Sequence, residues 1–194
     1  MSRRKGLSFR VKEKKFNKKL VMNLLSWFIC IAITVFAAWV FVFCFVQRVT
    51  VIGEAMSDTV VNAENVFYNR FIYIISRPKQ GDVIAFYPNG NHEYHLSIRR
   101  VAAVPGDTVS SMDGYLYVND VRYEGPARIG IMNDVGCLKN PITLKDNEYF
   151  VICDNINAGE DSRSGNVGYI AKEDIVGKIW LSASIAEKDI HIIH

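Results

Sequence analysis

The sequence predicts a mainly β domain, an all-β barrel or sandwich, carried outside the membrane on one N-terminal transmembrane helix. Three observations predict it. Leu20 to Val46 is a run of 27 residues without a single charge, where about 20 apolar residues suffice to cross a bilayer core. Nine Lys/Arg against one acid precede that run within residues 1–19, so the remainder carries fourteen basic and nineteen acidic residues. Beyond Arg48 the apolar residues fall into short β-branched and aromatic runs separated by turn signals, with no sustained 3.6-residue period.

The N-terminal segment reads as a basic cytoplasmic tail over 1–19 and a signal anchor over 20–46. It contains Trp27, Trp39 and five Phe, and is apolar all round apart from Asn23, Ser26 and Thr34. The run is longer than the core of a cleaved signal, and no small-x-small cleavage site follows Phe45-Val46-Gln47-Arg48. Positive charge ahead of a span holds that end in the cytoplasm, which sends residues 47–194 outside a single-pass cell-membrane protein whose first partner is the lipid bilayer. Beside an apolar run a basic tail reads as topology, not as a nucleic-acid arm.

The elements of 47–194 follow from local pattern. Val49 to Val51 opens the domain. Asn65 to Asn69 and Phe71 to Ile75 read as strand-like runs. Pro78-Lys79-Gln80-Gly81-Asp82 turns the chain into Val83 to Tyr87, and Asn89-Gly90-Asn91 turns it again. His95 to Val104 is strand-like and stops at Pro105-Gly106-Asp107. Asp113-Gly114, between Val109 and Tyr115 to Val118, signals a hairpin, and Asn119-Asp120 turns into Val121 to Tyr123. Residues 124–146 form a loop without a clear pattern. Glu148 to Ile152 is a strand, Lys172 to Asp174 a short turn, and Ile175 to Ile185 the last strand region. Strands this short and frequent suit an all-β architecture.

Four separated stretches then resemble one family. Gly53-Glu54-Ala55-Met56-Ser57-Asp58-Thr59 resembles the G-x-S-M-x-P-T nucleophile box of type I signal peptidases. Gly81 to Phe86 resembles their G-D-[VI]-[VI]-x-F strand, and Arg100 to Asp107 their R-V-[IV]-[GA]-x-P-G-D segment. Asp154-Asn155 followed by Asp161-Ser162-Arg163 resembles their G-D-N-x-x-x-S-x-D-S-R box, with Ile175 to Lys178 downstream. The resemblance implies a signal-peptidase-like β domain on a membrane helix and peptide hydrolysis by a Ser–Lys dyad, in which a desolvated lysine is the general base. It implies an exported polypeptide lying as an added strand in a groove flanked by Met56 and the Ile84-Ala85-Phe86 strand. Asp161 and Arg163 would brace the site as an ion pair.

The departures fall on the chemistry. Ala55 stands at the serine position, and a methyl group cannot attack a carbonyl. Arg99 stands at the lysine position, and a guanidinium has no lone pair with which to take a hydroxyl proton. Asp58 stands at the proline position, and Gly159 where a serine hydroxyl would orient the lysine. One engineered substitution would leave the other three intact, so natural loss accounts for the set. Ser57 and His95 are the fallback candidates: Ser57 lies on the same side as Ala55 if the segment is extended, while His95 lies four positions before Arg99. The expected function is therefore a signal peptidase homologue without its dyad, holding an exported protein as an accessory factor. By analogy with degenerate relatives in Gram-positive pilus assembly, that client would be a pilin handled alongside sortase. A peptidase rewired through Ser57 or His95 is the alternative.

Cys30 and Cys44 fall inside the span. Cys137 and Cys153 would face an oxidising exterior, where either a disulfide or two free thiols is open. Cys153 occupies the glycine position before Asp154-Asn155. No His/Cys spacing points to a metal, no G-x-x-x-x-G-K-[ST] loop to a nucleotide or other cofactor, and no aromatic-basic platform to nucleic acid.

Overall fold

The structure is a computed structural model that describes residues 18–45, 47–125, 129–184 and 189–193. The chain divides into two compact units, Met1–Val40 and Phe41–His194. In the first, the long helix α1 (Lys18–Phe45, continuing past the division) carries exposed Leu, Ile, Phe and Trp side chains around its circumference. Its stretch Lys18–Phe43 is long and apolar enough to cross a membrane, as the uncharged run predicts.

The second unit is mainly β, in agreement with the sequence. Its strands are β1 (Gln47–Thr50), β2 (Asn65–Asn69), β3 (Val83–Phe86), β4 (Ser97–Ala103), β5 (Thr108–Met112), β6 (Tyr115–Val118), β7 (Val121–Arg122), β8 (Ile142–Thr143), β9 (Glu148–Ile152), β10 (Ile170–Ala171), β11 (Ile175–Ser184) and β12 (Asp189–Ile192). The larger sheet runs β1-β2-β11-β3-β4-β9-β10, with β12 also on β11; the smaller runs β7-β6-β5-β8. All pairs within both sheets are antiparallel.

Side-chain alternation along β3 explains why its residues are apolar at every position. Val83 and Ala85 enter one core with Val51, Met56, Val60 and Ile98. Ile84 and Phe86 enter the core on the other face with Val101, Tyr149, Val151 and Ile170. A strand covered on both faces reads as a continuous apolar run, with no polar phase to keep. The third core seals the two sheets together, combining Val109, Leu116 and Val118 with Ala102, Phe150 and Ile152.

Two expectations change. The Phe71 to Ile75 run is not a strand: Ile72–Ile75 forms a short helix, α2. Its entry is fixed by Asn69, whose Oδ1 accepts from the Phe71 N–H at 2.9 Å, and its end by Ser76, whose Oγ donates to the Ile72 carbonyl at 2.7 Å. These local side-chain bonds override the β preference of the isoleucines. The unpatterned loop of residues 124–146 holds a 3-10 turn, Gly136–Lys139, and the short strand β8, as well as three positions, 126–128, outside the described residues.

Candidate functional site

The segment after β1 is a chain of tight turns, not an extended strand. Gly53 opens it with φ of +95°, a conformation that a side chain would strain, and its N–H donates to Asn62 Oδ1. Ser57 N–H then donates to the Glu54 carbonyl, and Val60 N–H to the Met56 carbonyl. Turning in this way sends consecutive side chains apart. Ala55 and Met56 point inward, at 7% and 1% exposure, whereas Ser57 and Asp58 lie on the surface. The Ser57 hydroxyl accepts from Asn155 Nδ2 at 3.0 Å. The same-side relation expected of Ala55 and Ser57 therefore fails, because the segment is not extended.

A buried ion pair holds this turn against the sheet. Arg100 on β4 reaches Asp154 with both arms of its fork, Nε to Oδ1 and Nη2 to Oδ2, each at 2.7 Å. The same guanidinium donates to the Gly81 carbonyl and to the Thr59 hydroxyl, and Thr59 in turn donates to Asp154 Oδ2. Both ionic side chains are almost wholly out of water, and their lone pairs and protons are used, which is the condition for tolerating a buried pair. Four stretches far apart in sequence, around 59, 81, 100 and 154, meet at this one group. The Asn155 N–H completes the clamp by donating to the Ala55 carbonyl at 3.0 Å.

Sequence reading missed this network and placed the brace later in the same box as Asp154, at Asp161 and Arg163. The available signal was the inward phase of Ile98, Arg100 and Ala102 in β4, which puts a charge where an apolar residue is due. The Asp161–Arg163 pair is present as well, with Nε to Oδ1 at 2.8 Å and Nη2 to Oδ2 at 2.9 Å. Arg163 also donates to the Asp134 and Ile156 carbonyls, tying the 134 and 156 loops together.

Beside Ala55 lies a cleft of about 210 Å³ lined by Ile52, Ala55, Met56, His95, Ser97 and Arg99, among others. Arg99 is pinned by its Nε to the Glu160 carbonyl at 2.8 Å and by its Nη1 to the Ile98 carbonyl at 2.6 Å. The fixed fork that makes these two bonds offers donors and no acceptor. Asp58 is not part of the lining, and His95 sits at the exposed mouth.

Gly159 packs directly against this floor. A Cβ placed there would meet the Ala55 Cβ at 2.7 Å and the Cys153 Sγ at 3.3 Å. The position thus has no free volume for the serine that the resemblance implies. Cys153, at the glycine position of the same box, fills the neighbouring space. Cys137 and Cys153 are both free thiols; their Sγ atoms donate to the Ser162 and Glu160 carbonyls. Burial pushes the Cys153 thiol up to about 12, while Arg99 opposes the shift.

Of the groove residues expected from the sequence, Met56 lines the cleft, but Ile84, Ala85 and Phe86 do not. All three are fully buried. Ile84 and Phe86 belong to the core on the opposite face from Met56, and Ala85 is packed within the core it shares with Met56. The exposed lining comes instead from Ile52 and the start of β4.

The family model described as signal peptidase, peptidase S26, matches residues 24–183. The chain belongs to that family. It is 30% identical over 177 residues to signal peptidase I P of Bacillus subtilis subsp. natto, covering 86% of this chain and 90% of the relative. With signal peptidase I of Bacillus amyloliquefaciens the identity is 32% over 178 residues, covering 86% and 89%. A crystal structure of a signal peptidase I from Enterococcus faecalis V583 aligns with a TM-score of 0.42 at 23% identity, over 53% of this chain and 97% of that one.

Proposed function

We propose that this member of the signal peptidase family holds exported polypeptides in the cleft beside Ala55 without cutting them, on a helix that spans the cell membrane with its N-terminus in the cytoplasm. The observation that carries the reading is the composition of the cleft floor. It presents the Ala55 methyl where a nucleophile is needed and an Arg99 fork committed to two carbonyls, and the Gly159 packed against Ala55 leaves no room for an orienting hydroxyl. Peptide hydrolysis needs a positioned base, a contribution of about 10²–10⁴-fold, and Arg99 cannot be one. A cleft with an exposed apolar wall at Ile52 and a strand start at Ser97 still suits an extended chain. A pilus subunit handled with sortase is the first client to test.

The rewired alternative divides. Ser57 faces away from the cleft and is bonded to Asn155, so only His95 retains a place in it. Two measurements decide. A photoreactive residue at Ile52 in the membrane-embedded protein should crosslink to a co-expressed exported protein, and Ile52→Trp should block capture while the protein stays folded. Incubation of the unmodified protein with a preprotein in detergent should leave it intact. Rapid cleavage abolished by Ser57→Ala or His95→Ala would sink the non-cutting reading; an absence of crosslinks would sink the binding reading.

A further inference from the structure

Arg99 and Arg100 are neighbours on β4, yet only one of them has its charge matched. The strand alternates, so Ile98 and Arg100 are buried while Ser97 and Arg99 stay half-buried and line the cleft together. Arg100 meets the Asp154 carboxylate with two bonds. Arg99 forms no ion pair among the described residues. The Glu160 and Ile98 carbonyls orient its guanidinium, but a carbonyl carries no net charge.

Those two bonds take the N–H on Nε and one on Nη1. Of the donors that a guanidinium offers, the other on Nη1 and both on Nη2 have no acceptor among the described residues. The cleft lining brings none of the missing charge: it holds Arg99 and His95 and neither Asp nor Glu. Acids of the flanking segments are engaged or turned away. Glu160 Oε1 accepts from Asn166 Nδ2 at 2.9 Å, and Glu54 and Asp58 are exposed outside the lining. A half-buried cation without a counter-charge is a standing cost that an anion in the cleft would offset. Beside it Ile52, Ala55 and Met56 form an apolar wall, which suits an anion carried on a peptide better than a bare inorganic one.

We propose that the cleft selects polypeptides that bring a carboxylate to Arg99, either the free C-terminus of a cleaved chain or an Asp or Glu side chain. This rests on the reading of the cleft as a peptide-holding site and names the group it recognises. The carboxylate oxygens take the remaining N–H groups of Nη1 and Nη2, in the paired geometry that an arginine fork favours, while the adjoining peptide residues lie along Ile52, Ala55 and Met56. The two sources differ in what must happen first. Hydrolysis of a peptide bond leaves a new C-terminal carboxylate, so the first source places this protein after a peptidase that supplies its ligand. The side-chain source needs no prior reaction.

The test uses the unmodified full chain in detergent and short peptides of Ala, Leu and Ser, each carrying one photoreactive benzophenone side chain. One pair ends in a free carboxylate or in an amide. A second pair, both amidated, has a single internal Glu or Gln. Crosslinks are mapped by mass spectrometry to Ile52 to Met56 or His95 to Arg99, and their yield is followed against peptide concentration. At least one acidic peptide should reach half-maximal crosslinking at a concentration about 10- to 100-fold below that of its neutral partner. A preference for the free end alone assigns the C-terminal source, and one for Glu alone the side-chain source; either supports the proposal. Arg99→Gln should remove the preference, and Arg99→Lys, which keeps the charge without the fork, should retain part of it. Resistance of Cys153 to iodoacetamide reports that each variant is folded. Should Arg99→Gln not fold, the ratios on the unmodified protein and on Arg99→Lys decide. Equal crosslinking of acidic and neutral peptides to the cleft overturns the proposal and leaves the peptide-holding reading standing. A preference that survives in folded Arg99→Gln also overturns it, by assigning the carboxylate to another group. With no peptide crosslinked to the cleft at all, the proposal and that reading fall together.

Discussion

A serine introduced at Gly159 should cost stability before it contributes any chemistry. The new Cβ would lie 2.7 Å from the Ala55 Cβ and 3.3 Å from the Cys153 Sγ. Neither neighbour is the free end of a long side chain. Ala55 is held through its carbonyl by the Asn155 N–H, and Cys153 through its N–H by Asp161 Oδ2 at 3.2 Å. Overpacking a site of this kind costs about 1–3 kcal/mol, which for a folded unit of this size lowers Tm by about 3–10 °C. Removing the sulfur should relieve part of that cost. In a Cys153→Ala background the penalty of Gly159→Ser should shrink by about 0.5–1 kcal/mol, the scale of coupling between touching residues. The remainder persists, because the Ala55 Cβ is the nearer atom. For the same reason Ala55→Ser with Arg99→Lys should give at most slow turnover, and adding Gly159→Ser should not speed it. The assay is thermal unfolding of the four variants of the cycle in detergent, followed by preprotein cleavage with the Ala55→Ser/Arg99→Lys pair. A Gly159→Ser protein that melts at or above its parent would refute the steric argument. Faster cleavage on adding it to the pair would refute the claim that the floor has no room.

Three further outcomes follow from the buried charges and thiols. Arg100→Leu alone should destabilise the β unit by about 3–5 kcal/mol, since it strands Asp154 in the core, whereas Arg100→Met with Asp154→Leu should cost less than either single change; chemical denaturation measures both, and additive penalties would argue against the pair. Burial raises Tyr73, Tyr123 and Cys153, the latter two to about 12 from ordinary values near 10 and 9. The folded state therefore favours their protonated forms. The stability this represents is complete below about pH 9 and is lost as pH rises towards 12; a Tm unchanged up to pH 11 would contradict it. At pH 8 a thiol pushed up to about 12 is thiolate in about one molecule in 10⁴, so iodoacetamide should modify the exposed Cys137 in the native protein and leave Cys153 until the protein unfolds.

Much of the fold could be read from residues whose environment is local. Glu148 to Ile152 and the Asp113-Gly114 hairpin declare themselves through alternation and turn chemistry, and α1 through its lack of charge. What escaped had either an obscured local signal or a partner elsewhere in the chain. The β-branched content of Phe71 to Ile75 hides the helix that the flanking Asn69 and Ser76 side chains set and that Tyr73 fastens to Asp82. β12 is a short partner that only the far half of β11 defines. In the site, the positions of Ala55, Arg99 and Gly159 were legible as departures from a motif, and the cleft brings Ala55 and Arg99 together. The groove wall was not, because β3 is apolar for the sake of two cores and not for a ligand. Ser57 looked available only while its backbone was assumed straight.

The Arg100–Asp154 clamp has a consequence for what sequence motifs report. It draws on Thr59, Gly81, Arg100 and Asp154, one from each of the recognisable boxes, and on no side chain at positions 55, 99 and 159, Ala55 being held only through its backbone carbonyl. The recognisable letters thus hold the fold together, while Ala55 and Arg99 line the cleft and Gly159 packs against Ala55. Such an arrangement lets a lineage exchange its reactive groups by drift or by changed use without first losing the domain. A motif built on the boxes therefore reports the fold, and it is the side chains at positions 55, 99 and 159 that bear on the chemistry.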